Sequence, residues 1–140
     1  MKIIKYLLGF FGCIVFTTQA ISQSSYLCIP DLSTGFSYQK STNKWISTDF
    51  NIQGTKYILS KKNDGIWEWK DFGQKDSLIR CPDGFNESGY INCISLHRIQ
   101  FNRTNLRFQL IYPIGYTNKD IIGKEGEDTP HMQIGKCSPL

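Results

Sequence analysis

The side chains with reactive potential are five cysteines, two histidines and 12 acidic residues spread through 140 positions. Structural zinc needs thiolates and imidazoles gathered at short spacing, as in a C-x-x-C pair. Outside the N-terminal apolar run, Cys28, Cys81, Cys93 and Cys137 are separated by 53, 12 and 44 positions, and His97 and His131 stand apart. No metal site and no cofactor are therefore expected. The acidic run Glu125, Glu127 and Asp128 lacks the dense oxygen-ligand spacing of a calcium loop. Catalytic signatures are missing too: there is no G-x-S-x-G, no H-E-x-x-H and no phosphate-cradling glycine loop leading into a helix. His97, next to Ile99 and Phe101, reads as a hydrogen-bonded core or rim residue, and His131, after Pro130, as a strand-entry or exposed one. An enzyme is not the expected reading.

What remains is recognition chemistry. Strict alternation over His97 to Leu110, broken by the turn Asn102-Arg103-Thr104-Asn105, puts Ile99, Phe101, Leu106, Phe108 and Leu110 on one face of a hairpin. Arg98, Gln100, Arg107 and Gln109 then share the other. Two guanidinium forks and two amides can receive a carboxylate or a sugar through planar donors. These four form the candidate binding surface, with an ordinary solvated strand face as the alternative reading.

The N-terminus fixes the compartment in which such a surface would work. Lys2 and Lys5 precede an apolar run from Tyr6 to Phe16, which gives way to Thr18-Gln19-Ala20. That is the pattern of a cleavable secretory signal peptide over residues 1–20, with cleavage after Ala20 as first choice and after Ser22 as second. The run is shorter than the roughly 20 residues that span a bilayer, so no stable membrane insertion is expected after cleavage. An uncleaved anchor and lipid attachment at Cys13 are the alternatives, but no stop-transfer flank follows, and Phe10-Phe11-Gly12-Cys13 lacks the usual aliphatic residue of a lipobox.

Removing Lys2 and Lys5 from 16 basic residues leaves 14 against 12 acidic ones, a net charge of +2. The basic residues are dispersed, so nucleic acid is not an expected partner. In an exported chain the four remaining cysteines read as two disulfides. Three pairings are possible. The expected one joins Cys81 to Cys93 across a short loop between adjacent strands and Cys28 to Cys137 between the first strand and the last, each contributing about 3 to 5 kcal/mol in the chain-entropy model.

Turn signals recur between short aromatic and β-branched runs, and no stretch keeps an apolar period of 3.6, so residues 21–140 are expected to form one all-β domain. Strands are predicted near residues 26–29, 35–39, 45–50, 56–61, 66–72, 77–81, 90–94, 96–101, 106–112 and 132–136. Asn63-Asp64-Gly65 supplies the positive φ of a tight turn, with Trp67 and Trp69 on the core face and Glu68 and Lys70 opposite. Residues 115–131 turn polar and glycine-rich, a surface loop. Some strands are expected to merge, giving a small antiparallel barrel or sandwich of about seven to nine strands. Its core is expected to hold Phe36, Tyr38, Trp67, Trp69, Ile99, Phe101, Leu106, Phe108 and Leu110.

Several stretches together resemble a group of small exported bacterial proteins of unknown function: Tyr26-Leu27-Cys28-Ile29-Pro30-Asp31, Thr34-Gly35-Phe36-Ser37-Tyr38, Lys44-Trp45, Leu106-Arg107-Phe108, Gly115-Tyr116 and the ending Asp128-Thr129-Pro130-His131-Met132-Gln133-Ile134-Gly135-Lys136-Cys137-Ser138-Pro139-Leu140. That resemblance implies export and no activity. A looser similarity is to periplasmic inhibitors of c-type lysozyme, small disulfide-tied β-barrels with a Ser-Gly-x-x-Tyr loop. Ser88-Gly89-Tyr90 matches only part of that loop, so no inhibitory residue carries over. The leading expectation is a periplasmic or secreted, non-catalytic binding module for a protein or glycan. A small barrel carrying an apolar small molecule comes second, and a hydrolase with a site assembled from loops third.

Overall fold

A computed structural model describes residues 23–117 and 128–140. The expected signal peptide, both cleavage positions, and Glu125 and Glu127 lie outside those residues. Among the described residues there is no helix. Nine strands form: β1 Ser25–Gln39, β2 Lys44–Asp49, β3 Tyr57–Lys61, β4 Trp67–Asp71, β5 Ile79–Cys81, β6 Tyr90–Ile94, β7 Arg98–Asn102, β8 Arg107–Tyr112 and β9 His131–Pro139.

They make one antiparallel sheet in the order β5-β4-β3-β1-β9-β8-β7-β6, with β2 paired to β1 off that path. The sheet curls until its two ends meet, and there the Cys81–Cys93 disulfide stitches β5 to β6 while Phe85 bridges Ile91. The Cys28–Cys137 disulfide lies across the β1–β9 ladder, where the two cysteines are register partners. Of the barrel and the sandwich, the chain forms a nearly closed barrel, with both disulfides in the expected pairing.

Period-two alternation explains what fills it. Trp69, Phe101, Leu59, Ile91, Ile99 and Leu110 are fully buried on the inner face, and Trp67 and Phe108 are nearly so. Their rings interlock, Tyr57 with Trp69 at 5.1 Å, Trp69 with Phe108 at 5.1 Å, Tyr26 with Phe101 at 4.9 Å and Trp67 with Phe85 at 4.9 Å between centroids. Outside, Glu68 is only 8% exposed because Lys62 (3.3 Å) and Arg80 (3.6 Å) close over it.

One expected merger takes place, and two core assignments need correction. The segments 26–29 and 35–39 are one strand, β1, which passes through Pro30 by a register shift between Pro30 and Leu32. Among the described residues that stretch has β9 as its only ladder partner, and a bulge there accommodates a residue without an N–H. Phe36 and Tyr38 are not core: Phe36 is 54% exposed, and Tyr38 stacks on Trp45 at 5.6 Å. Beyond Gly35, β1 leaves the β9 ladder as an arm paired to β2, where Tyr116 packs on Trp45 at 5.6 Å and Phe36 stays exposed. Leu106 is partly buried against the core from the β7–β8 turn, not from a strand.

Candidate functional site

The barrel's register aligns its outward side chains in rows across neighbouring strands. One row runs Tyr90, Asn102, Arg107, Lys136 and Ile29; the next runs Asn92, Gln100, Gln109, Ile134 and Leu32. Between them opens a groove of about 440 Å³, walled by Tyr90, Gln100, Asn102, Asn105, Arg107, Gln109 and Lys136, with Asp31 at the β1 side. That volume lies within the range of small-molecule sites, roughly 300 to 1,000 Å³. The amides are ordered across strands, since Gln100 Nε2 donates to Asn92 Oδ1 at 2.9 Å.

The β7–β8 turn sets the groove's geometry. Asn102 Oδ1 accepts the backbone N–H of Thr104 at 2.7 Å, an Asx turn that uses the side chain's tendency to bond its own backbone. Leu106 is then forced to φ 59°, a left-handed conformation that a branched side chain seldom adopts. It is held there by its N–H donating to Asn102 O at 2.9 Å and its carbonyl accepting from Cys137 N at 2.8 Å. The next residue is Arg107, which this locked turn sets opposite Lys136. On the far wall, Gly135 lets β1 and β9 approach closely: a Cβ there would lie 2.6 Å from Pro30 Cα and 2.7 Å from Phe108 Cε1.

Three of the four predicted stripe residues, Gln100, Arg107 and Gln109, therefore share one groove. Arg98 does not. It is on the outer face as expected, but its register partner is Ile111, two rows from the Asn102–Arg107 pair and roughly 13 Å along the strand. Sequence reasoning missed Tyr90, Asn105 and Lys136, which enter the groove from other strands and a turn.

A second polar cluster lies at the mouth of the barrel where β9 begins. Tyr112 is flanked by His97 (4.7 Å between centroids) and His131 (5.6 Å), and its hydroxyl donates to Asp128 Oδ2 at 2.7 Å. Burial, the hydrogen bond to Asp128 and the charge of that carboxylate push the Tyr112 phenol up to about 12. His97 binds its proton less readily than a free histidine, first because it is desolvated and then because His131 repels a second charge; Asp71 and Asp128 oppose this. His131 Nδ1 lies 2.8 Å from Thr129 O, a contact in which the ring nitrogen donates to the carbonyl. In this geometry one oxygen of the Asp128 carboxylate is held by the phenol.

An apolar groove of about 380 Å³ adjoins the mouth, bounded by Phe36, Ile111, Pro113, Pro130 and Met132. Among the described residues, no three of His, Cys, Asp and Glu come together as a metal site. Comparisons with protein-family models, with curated proteins and with solved structures return no match to this chain.

Proposed function

We propose that the chain is an exported binding module, periplasmic or secreted and without catalysis of its own, that recognises a glycan in the groove across β7, β8 and β9. The observation that carries this reading is the convergence of Gln100, Gln109, Asn105, Arg107, Lys136 and Tyr90 on one groove. Amides offer both donors and acceptors to vicinal hydroxyls, Arg and Lys add charge-assisted donors, and a half-exposed tyrosine ring suits a sugar face. Neighbouring strands already satisfy the ladders of β7, β8 and β9, so the groove does not offer a free edge to an extended peptide. The two disulfides accord with an oxidising compartment, and the N-terminal pattern of residues 1–20 supplies the route there.

Interlocked aromatic rings occupy the interior, so an apolar carrier would have to use the outer groove beside Phe36 and Met132. The groove reading is tested on a glycan array with the oxidised protein. Arg107→Ala is expected to abolish retention, whereas Arg98→Ala, one row outside the groove, leaves it intact. Equal behaviour of the two variants, or retention of no glycan, overturns the reading.

A further inference from the structure

Resting on the saccharide reading of the groove, we infer that its ligand is an acidic saccharide whose carboxylate seats between Arg107 and Lys136. These two residues are direct register partners across the β8–β9 ladder, and both side chains are exposed. Like charges placed directly opposite on an antiparallel pair repel and weaken it. Lys62 meets Glu68 and Arg80 meets both Asp64 and Glu68, while other exposed cations such as Lys44, Lys61 and Arg98 stand without an ion pair among the described residues. Among the described strands, Arg107 and Lys136 are the one pair of cations in direct register. Arg107 and Lys136 form no ion pair among the described residues.

The arrangement is also held in place. Leu106 keeps its left-handed backbone between Asn102 O and Cys137 N, and the Cys28–Cys137 disulfide fixes the strand position next to Lys136. Strain retained beside a repulsive pair is intelligible when a ligand uses the pair. One anion between the two side chains turns the repulsion into two charge-assisted contacts, with the guanidinium fork matched to the planar carboxylate. The rest of the groove fits the remainder of a sugar ring. Gln100, Gln109 and Asn105 face hydroxyls, Tyr90 offers a ring at the β6 side, and Asp31, the one carboxylate on the wall among the described residues, is an acceptor for a hydroxyl at the β1 side.

Isothermal titration of the oxidised protein with trimers of galacturonic, glucuronic and mannuronic acid, each beside its carboxyl-reduced counterpart, tests the inference. At least one acidic trimer is expected to bind roughly tenfold or more tightly than its reduced form, with the preference shrinking as salt rises from 20 to about 500 mM. Lys136→Gln and Arg107→Gln should each lose that preference. A second readout needs no ligand: because it removes the repulsion, Lys136→Gln should melt no lower than the parent protein in ligand-free buffer, and the parent should overtake it once the acidic trimer is added. If acidic and reduced trimers bind equally, the charge assignment falls and the saccharide reading stands. If no trimer of either kind binds, or poly-glutamate alone binds through Arg107 and Lys136, both fall.

Discussion

Tyr112 and His97 predict how the fold responds to pH, in opposite directions. Folding holds the Tyr112 proton more tightly, raising the phenol from 10.0 to about 12, so its contribution is complete below pH 10 and is lost as pH climbs through 12. Burial also raises Tyr26 and Tyr57, which adds to the same alkaline limb. For His97 the neutral ring is favoured in the fold. Below about 6.5 the unfolded chain therefore holds more protons, and stability falls as pH drops from there towards the lowered value. Thermal melts against pH should show a plateau between about 6.5 and 10 with losses on both sides. Tyr112→Phe should shorten the alkaline limb and His97→Gln the acid one, and an unchanged profile in either variant would refute its assignment. Among single positions, Gly135 is the least tolerant on the groove wall. An alanine there meets Pro30 and Phe108 at contact distances that force the β1–β9 ladder apart, and urea unfolding should show a loss of about 1 to 3 kcal/mol.

At the level of strands, the weak point is the seam between β5 and β6, since these end the ladder path and are joined by the Cys81–Cys93 disulfide and the Phe85–Ile91 bridge. Replacing both cysteines with serine should cost about 3 kcal/mol from a 12-residue separation and raise amide exchange first in β5 and β6. Exchange spread evenly over all strands would instead mean that the barrel holds its seam without the bond. Alternation was enough to place Trp67 and Trp69 inside and Gln100 and Arg107 outside, because a period of two depends only on the strand. It did not place Phe36, since alternation assigns a face without saying whether anything packs on it. Nor did it separate Arg98 from Arg107, which share a face but not a row; rows are fixed by register with β8, information held in pairs of strands. The His97, Tyr112, His131 and Asp128 cluster was illegible for a similar reason, as its members come from two strand ends, the β6–β7 turn and a loop.

For the molecule as a whole, the two disulfides account for all four cysteines among the described residues. The purified oxidised protein should accordingly give no labelling at these positions with a thiol reagent until it is reduced, and full labelling without reduction would contradict the frame. The 109-residue separation closed by Cys28–Cys137 contributes about 5 kcal/mol in the chain-entropy model, so reduction should lower the melting temperature more through this bond than through the seam. The position of that bond has a mechanical consequence. Tyr26 pairs with Pro139, and Leu140 N donates to Ser25 O at 3.1 Å, so a pull on the two strand ends unzips β1 from β9. The peeling meets the Cys28–Cys137 bond only two residues in, and tension then runs through sulfur, so that only the Tyr26 end of the aromatic interior is loaded and the groove is spared. Stretched between its ends, the oxidised barrel should withhold roughly 36 nm of contour, the extended length of the 109 residues behind the bond, and release it only after reduction.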